Sequence, residues 1–217
     1  MTVVLLGVHA VKHAVRFGAV LDRVVSADPA AALAVLAAVA PDVRLDVERV
    51  TPEELVQLGG PADLLALARR PAGIEPGPGP AVLLDNPRHL GNLGAVVRVA
   101  AGFGARAVLS TGTVDPWHPT VVRAAAGLHW AVPVRRVTEI PDGLLAFDAD
   151  GEDLRDVDLP SEAVLAFGSE RHGLSDAVRS RAARVIAIPI RDQVSSYNLA
   201  TSVAVALYAW TAGRGGR

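Results

Sequence analysis

Three short segments hold most of the residues of this chain that could do chemistry. The first, Asp85-Asn86-Pro87-Arg88-His89-Leu90-Gly91-Asn92-Leu93-Gly94-Ala95-Val96-Val97-Arg98, follows an apolar run and opens a helical pattern. Gly91 and Gly94 would let backbone approach a ligand closely, and a helix start favours an anion such as phosphate. Asn92 and Arg98 lie most of two helical turns apart, so both can reach one cleft. Equally, Asn92 can be a plain helix cap and Arg98 a solvated cation.

The second segment is Leu165-Ala166-Phe167-Gly168-Ser169-Glu170-Arg171-His172-Gly173-Leu174, an apolar run leading into a loop with glycines. Glu170 at a strand end could accept hydrogen bonds from a ligand or hold an arginine through a charge-assisted pair. The third, Ile188-Pro189-Ile190-Arg191-Asp192-Gln193-Val194-Ser195-Ser196-Tyr197-Asn198-Leu199, joins the last strand to the last helix. Ser196 and Asn198 bring a hydroxyl and a carboxamide to that helix start, where they cap it or serve a ligand. Each segment alone is a weak signal, and capping or solvent exposure accounts for any one of them.

The elements that must position these residues are legible as a pattern. Apolar strand-like runs recur at Ala81–Leu84, Ala105–Leu109, Leu144–Phe147, Ala163–Phe167 and Val185–Ile190, separated mainly by helical spacing. That alternation predicts an α/β fold with a mainly parallel sheet and helices on both faces. Ligands of such sheets sit beyond the carboxyl ends of the strands, where the three segments fall. The helix from Leu199 to Trp210 carries no charge, which predicts burial on more than one side and a subunit interface.

Upstream, Arg69–Pro80 reads RRPAGIEPGPGP and offers no core-forming face, so a boundary is expected there, with residues 71–80 as a linker. Residues 1–70 read as a small α/β unit. Its expected helices are Val11–Val20, Ala30–Ala40 and Pro52–Leu58, and its expected strands Arg23–Ser26, Val43–Val47 and Leu64–Ala68. Residues 81–217 form the second expected domain.

Composition narrows the chemistry. The 217 residues are 51% hydrophobic and 20% charged, as in a packed globular protein. There is no cysteine, which excludes disulfides, thiolate catalysis and Cys-ligated zinc. No apolar run reaches a membrane span, and Met1–Gly7 lacks the basic start of a secretion signal, so a cytoplasmic protein without membrane contact is expected. The net charge of −2 does not advertise a polyanion partner, so any nucleic-acid surface must come from local clustering. His9, Lys12, Arg16 and Arg23, with His13, make the first residues locally basic, which suits RNA phosphates or a solvated helix face. His9 and His13 lie one turn apart without a third ligand, so no metal is expected. His118, His129, Arg135 and Arg136 have no partner that the sequence names.

Taken in order, the three segments resemble the SPOUT class of RNA methyltransferases, in its TrmH (SpoU) branch. The first is similar to its Asn-Leu-Gly-Ala-hydrophobic-hydrophobic-Arg motif, the second to Gly-Ser-Glu-x-x-Gly-Leu and the third to Ile-Pro-x … Ser-x-Asn. The stretch headed by Leu6-Gly7-Val8-His9-Ala10-Val11 looks like the ribosomal-protein-like substrate-binding domain that often precedes the catalytic one. The resemblance implies a C-terminal trefoil knot, S-adenosylmethionine (SAM) as cofactor inside the knot loops, and a homodimer through the knot region. By motif position, Asn92, Arg98, Glu170, Ser196 and Asn198 would be catalytic. Thr111, Gly112, Gly168, Ile188, Ile190, Tyr197 and Leu199 would contact the cofactor. His9, Lys12, Arg16, Arg88 and Arg171 would meet RNA, ribosomal RNA being favoured over transfer RNA by the accessory domain. Tyr197 stands where the family often has leucine, and Ala125 where many relatives place serine.

The implied reaction is methylation of a ribose 2′-hydroxyl. Because a guanidinium stays protonated, Arg98 is better suited to anchoring phosphate and stabilising a developing alkoxide than to acting as a base. Two alternatives stay open at this point: a transfer RNA 2′-O-methyltransferase, and a non-catalytic RNA-binding protein of the same fold. A nucleotide-binding oxidoreductase is disfavoured, since no Gly-x-Gly-x-x-Gly follows Leu84.

Overall fold

The computed structural model describes residues 1–214. Two sheets organise them. The first is built from β1 (Thr2–Leu6), β2 (Leu21–Ser26), β3 (Glu48–Arg49) and β4 (Leu65–Arg69), with helices α1 (Val8–Arg16), α2 (Pro29–Val39) and α3 (Pro52–Leu58). Its strand order is β1-β4-β2-β3, antiparallel except for β2 beside β3. Local chemistry sets the helix starts. Asp28 accepts a hydrogen bond from the Ala31 amide and Thr51 from the Glu54 amide, each with proline in the first turn.

Several boundaries in this half differ from the sequence expectation. The first helix begins at Val8 and ends at Arg16, since Val8, Ala10, Val11 and Ala14 supply its buried face. Val20 is exposed and precedes β2. The alternating stretch Val43–Val47 forms no strand; Val43 is buried as a loop residue, and the bridging pair is Glu48–Arg49. β1 occupies Thr2–Leu6, an apolar stretch too short to show a strand period in the sequence.

The second sheet holds β5 (Ala81–Leu84), β6 (Ala107–Ser110), β7 (Val134–Arg136), β8 (Leu144–Asp153), β9 (Val164–Phe167) and β10 (Ala182–Ala187), in the order β10-β8-β9-β5-β6-β7. Every pairing in it is parallel. β5 lies inside the sheet and is buried along its whole length, as a continuous apolar run in a doubly covered sheet should be. Helices α4 (Leu90–Gly102), α5 (Pro119–Ala124), α6 (Asp176–Arg179) and α7 (Leu199–Arg214) complete this half. The register aligns the carboxyl ends in one transverse row, Phe147, Phe167, Leu84, Ser110 and Arg136.

β8 is longer than its apolar segment suggests. Leu145 and Ala146 pair with Arg184 and Val185, and then Glu152 and Asp153 rejoin the same neighbour at Ile186 and Ala187. One step along β10 takes up the whole stretch from Ala146 to Glu152, so β8 bends round the end of β10. β10 in turn stops at Ala187, short of the expected Ile190, where Pro189 follows.

α7 departs from expectation in a second way. Within the chain it buries one face, through Leu199, Val203, Ala206, Leu207 and Trp210, while Tyr208 is 66% exposed. The absence of charge from Leu199 to Trp210 therefore does not correspond to burial on more than one side within the chain.

The two halves share a core. Trp117, Val122 and Trp130 of the second half pack among Val8, Val11 and Leu36 of the first. Arg70 lies over the Trp117 ring at 4.7 Å, and the His13 ring nitrogen Nδ1 is 3.0 Å from the Ala126 carbonyl. Residues 71–80 between the halves contain no helix or strand.

Candidate active site

The carboxyl edge of the second sheet opens into a cavity of about 690 Å³. That volume falls in the range of small-molecule sites. Phe147 and Phe167, neighbours in the transverse row, stack with centroids 4.6 Å apart and 13° between planes, giving the cavity an aromatic wall. Opposite walls come from the loop after β9, the bent part of β8 and the segment between β10 and α7.

Asn92, Glu170 and Asn198, each from a different segment, are joined in one hydrogen-bonded chain. The Asn92 side-chain amide donates to Glu170 Oε1 at 2.8 Å, and its carbonyl Oδ1 accepts from Asn198 Nδ2 at 3.1 Å. Asn198 Oδ1 then accepts the Ala200 amide at 2.9 Å, so the residue caps α7 and serves the network together. Glu170 Oε2 also accepts from the Arg88 amide at 3.5 Å. Burial pushes the Glu170 carboxyl up, but the hydrogen bonds from Asn92 and backbone outweigh it and hold the group below its ordinary value. Glu170 thus stays an acceptor that ties the second segment to the first, and its partner is a carboxamide where an arginine had been considered.

Gly168 is a positional requirement. A Cβ there would lie 2.1 Å from the Gly173 carbonyl carbon and 2.4 Å from the Leu174 nitrogen. The loop can close on itself through the Ser169–Gly173 bridge only without that carbon. Gly94 plays a different part from the one its motif suggests. It packs against α5, where a Cβ would meet Val121 O and the Ala124 Cβ at 2.5 Å, so it serves helix packing.

The other sequence-predicted residues divide into groups. Ser196, Gly168, Ile188, Ile190, Tyr197 and Leu199 all line the cavity. Tyr197 donates its hydroxyl to the Pro189 carbonyl at 3.1 Å, linking two parts of one wall, a bond that leucine could not make. Ala125 is fully buried. Thr111 and Gly112 do not line the cavity. Thr111 Oγ1 instead accepts the Asn86 amide and donates to Asp85, both at 2.9 Å. Arg98 is also outside the cavity; it is exposed on α4. Of the RNA candidates, His9, Arg88 and Arg171 are exposed and Lys12 is half-buried. Arg16 is held bidentately by Asp42, at 2.8 and 2.5 Å.

Sequence reasoning missed two supports. Asp85, 5% exposed, accepts from Thr111 and, at 2.6 Å, from the Ser175 amide, fastening the ends of β5 and β6 to the start of α6. Arg179 on α6 pairs with Asp148 and Asp150, bracing the bent part of β8 that lines the cavity. The only trace of either in sequence is the charge itself, since their partners lie far along the chain.

Fold and cavity define a parallel α/β protein whose site is assembled from three loops at the carboxyl edge of its sheet. The profile of the SpoU rRNA Methylase family matches residues 79–208, and the chain belongs to that family. A Synechocystis relative named as an uncharacterized tRNA/rRNA methyltransferase is 32% identical over 139 residues, 58% of this chain and 51% of the relative. The chain thus spans about half the length of that curated relative. A 23S rRNA (uridine(2479)-2′-O)-methyltransferase from Streptomyces viridochromogenes is 28% identical over 192 residues, 76% of this chain and 67% of the relative. The crystal structure of the SpoU methyltransferase AviRb from the same organism, in complex with the cofactor AdoMet, matches with a TM-score of 0.80 and 25% identity. The match covers 97% of this chain and 89% of that one.

Proposed function

We propose that this chain methylates the ribose 2′-hydroxyl of a nucleotide in structured RNA, ribosomal RNA before transfer RNA, with S-adenosylmethionine as methyl donor. The observation that carries the reading is the Glu170–Asn92–Asn198 chain of hydrogen bonds at the cavity, which joins all three family motifs. The cavity fits the cofactor in size, and its aromatic wall suits a purine ring. Gly168, Ile188, Ile190, Tyr197 and Leu199 would hold it, with Thr111 and Gly112 supporting the loops from behind.

Bound there, the cofactor supplies a methyl group on a sulfonium centre. The chain's own work is to orient a poor nucleophile and ease loss of its proton. Asn92, Ser196 and Asn198 present carboxamides and a hydroxyl that orient the ribose, and Glu170 keeps the Asn92 amide from turning. Arg98, permanently charged and exposed outside the cavity, is assigned to anchoring a substrate phosphate.

The bend of β8 round β10 supports the reading that the C-terminal segment threads a trefoil knot. We assign residues 1–70 as a ribosomal-protein-like RNA-binding domain, 71–80 as linker and 81–217 as the methyltransferase domain. The half-exposed apolar helix α7 supports a homodimer through the knot region. No described helix is long and apolar enough to cross a membrane, and a cysteine-free RNA enzyme suits the cytoplasm.

The test is methyl transfer from labelled S-adenosylmethionine to bulk RNA from cells lacking the gene. Label is expected in alkali-resistant dinucleotides, and mapping them separates ribosomal from transfer RNA. Label on bases, or none, overturns the reading. Arg98→Ala is expected to lose most activity while binding cofactor normally; wild-type rates would remove Arg98 from the site.

A further inference from the structure

The six-stranded sheet carries arginines at both ends, and they are treated differently. At the amino ends, Arg106 immediately before β6 pairs with Glu162 at 3.0 Å, and Arg181 immediately before β10 pairs with Asp142 at 2.8 Å. At the carboxyl ends, Arg88 follows β5, Arg136 ends β7, Arg171 follows β9 and Arg191 follows β10. All four are exposed, and none has an ion-pair partner among the described residues.

The principal carboxylates of the same rim are engaged elsewhere. Asp85 takes Thr111 and Ser175, Glu170 takes Asn92, and Asp148 and Asp150 take Arg179. None of these carboxylates, nor the exposed Asp115, Glu139, Asp176 and Asp192 of the same rim, forms an ion pair with any of the four arginines.

Register sets the dimensions. Arg136 shares the transverse row with Phe167 on the cavity wall and lies three strands from it. At about 4.8 Å per strand that is about 14 Å. Arg191 follows Ile190 of the cavity wall, in the segment after β10, the strand at the other edge of the sheet. The cations therefore follow strands from one edge of the sheet to the other, with Arg191 beside the cavity and Arg136 at the far edge. By contrast, Arg16 and Arg23 of the N-terminal half are neutralised by Asp42, Glu48 and Glu54.

We infer that this band is a track for the RNA backbone, running along the carboxyl rim from Arg191 past the cavity to Arg136, and that Arg136 and Arg191 are RNA-positioning residues. The inference rests on the proposed methyltransferase reading. Phosphates on either side of the target nucleotide are gripped, and the ribose between them is presented to the site.

The experiment measures binding of a fluorescently labelled, mixed-sequence single-stranded RNA to the full chain with S-adenosylmethionine present, over a range of salt. Arg136→Gln and Arg191→Gln are each expected to lower the slope of log K against log salt by about 0.7 and to weaken binding about threefold at moderate salt. Cofactor affinity, measured separately, stays unchanged. Arg106→Gln and Arg181→Gln are expected to match wild type. Wild-type slopes for the first pair, equal losses in the second pair, or no binding of the probe by wild type each overturn the track. If wild type transfers no methyl group to any RNA, the functional reading itself fails; a methylating wild type with unaffected Arg136 and Arg191 variants defeats the track alone.

Discussion

The two ends of the six-stranded sheet follow different rules. At the amino end, charges meet in simple pairs such as Arg181–Asp142, which joins the starts of the neighbouring strands β10 and β8 and faces solvent. At the carboxyl end, side chains bond in longer relays. One runs from Glu170 through Asn92 to Asn198, and another from Asn86 through Thr111 and Asp85 to Ser175. Pairs close a surface, whereas relays place polar groups around an opening and leave some of them able to act. The difference teaches that the chemistry of this chain depends on loop-to-loop distances, which the strand register alone does not set.

Substitutions at the two ends test that contrast, and the greatest effect is expected at Gly168. In Gly168→Ala the added carbon meets backbone on both sides of the Gly173–Leu174 peptide, so the loop bearing Glu170 must move. A displacement of about an ångström costs on the order of 100-fold in rate. Methyl transfer should fall by that much while the far-ultraviolet dichroism spectrum is preserved; an unimpaired rate would show that the loop's position is not critical.

Asp85→Ala comes next. It strands the Ser175 amide and the Thr111 hydroxyl, removing two hydrogen bonds to a carboxylate, for a loss of about 2–4 kcal/mol. Denaturant unfolding should report that loss, together with weaker cofactor binding, because the loops lose their common fastening. A loss confined to stability would reduce Asp85 to a core residue. The smallest effect belongs to the amino end, where Arg106→Gln should change stability by less than about 1 kcal/mol and leave methyl transfer unaltered. A large effect there would erase the distinction between the ends.

What the sequence makes legible follows the range of the interactions involved. Asn92, Glu170, Ser196 and Asn198 could be singled out because each sits in a local pattern of glycine, strand end and helix start that survives as a motif. The all-apolar run of β5 announced an interior strand for the same reason. Arg179 could not be singled out, because its value depends on Asp148 and Asp150 some thirty positions away, brought near only by the bend of β8. That bend was itself concealed, since Asp148–Asp153 is polar and reads as a loop when no neighbour is known. β7 was lost because Val134-Arg135-Arg136 is too short to show a period. Thr111 shows the opposite case. Its position was noticed, but its hydroxyl is spent on Asp85 and Asn86 behind the cavity.

The bend also has a consequence in time. One wall of the cavity is Asp148 and Ala149 and another is Ile188 to Ile190, and they face each other only once β10 has been laid inside the curve of β8. Asn92 likewise waits for a partner 106 residues further along. Synthesis runs at about 5–20 residues per second, so a growing chain spends on the order of ten seconds with its first motif made and no pocket to show for it. Nascent and prematurely ended chains lacking the last strand and helix are therefore expected not to bind cofactor, which equilibrium binding to a chain ended before Ala182 checks.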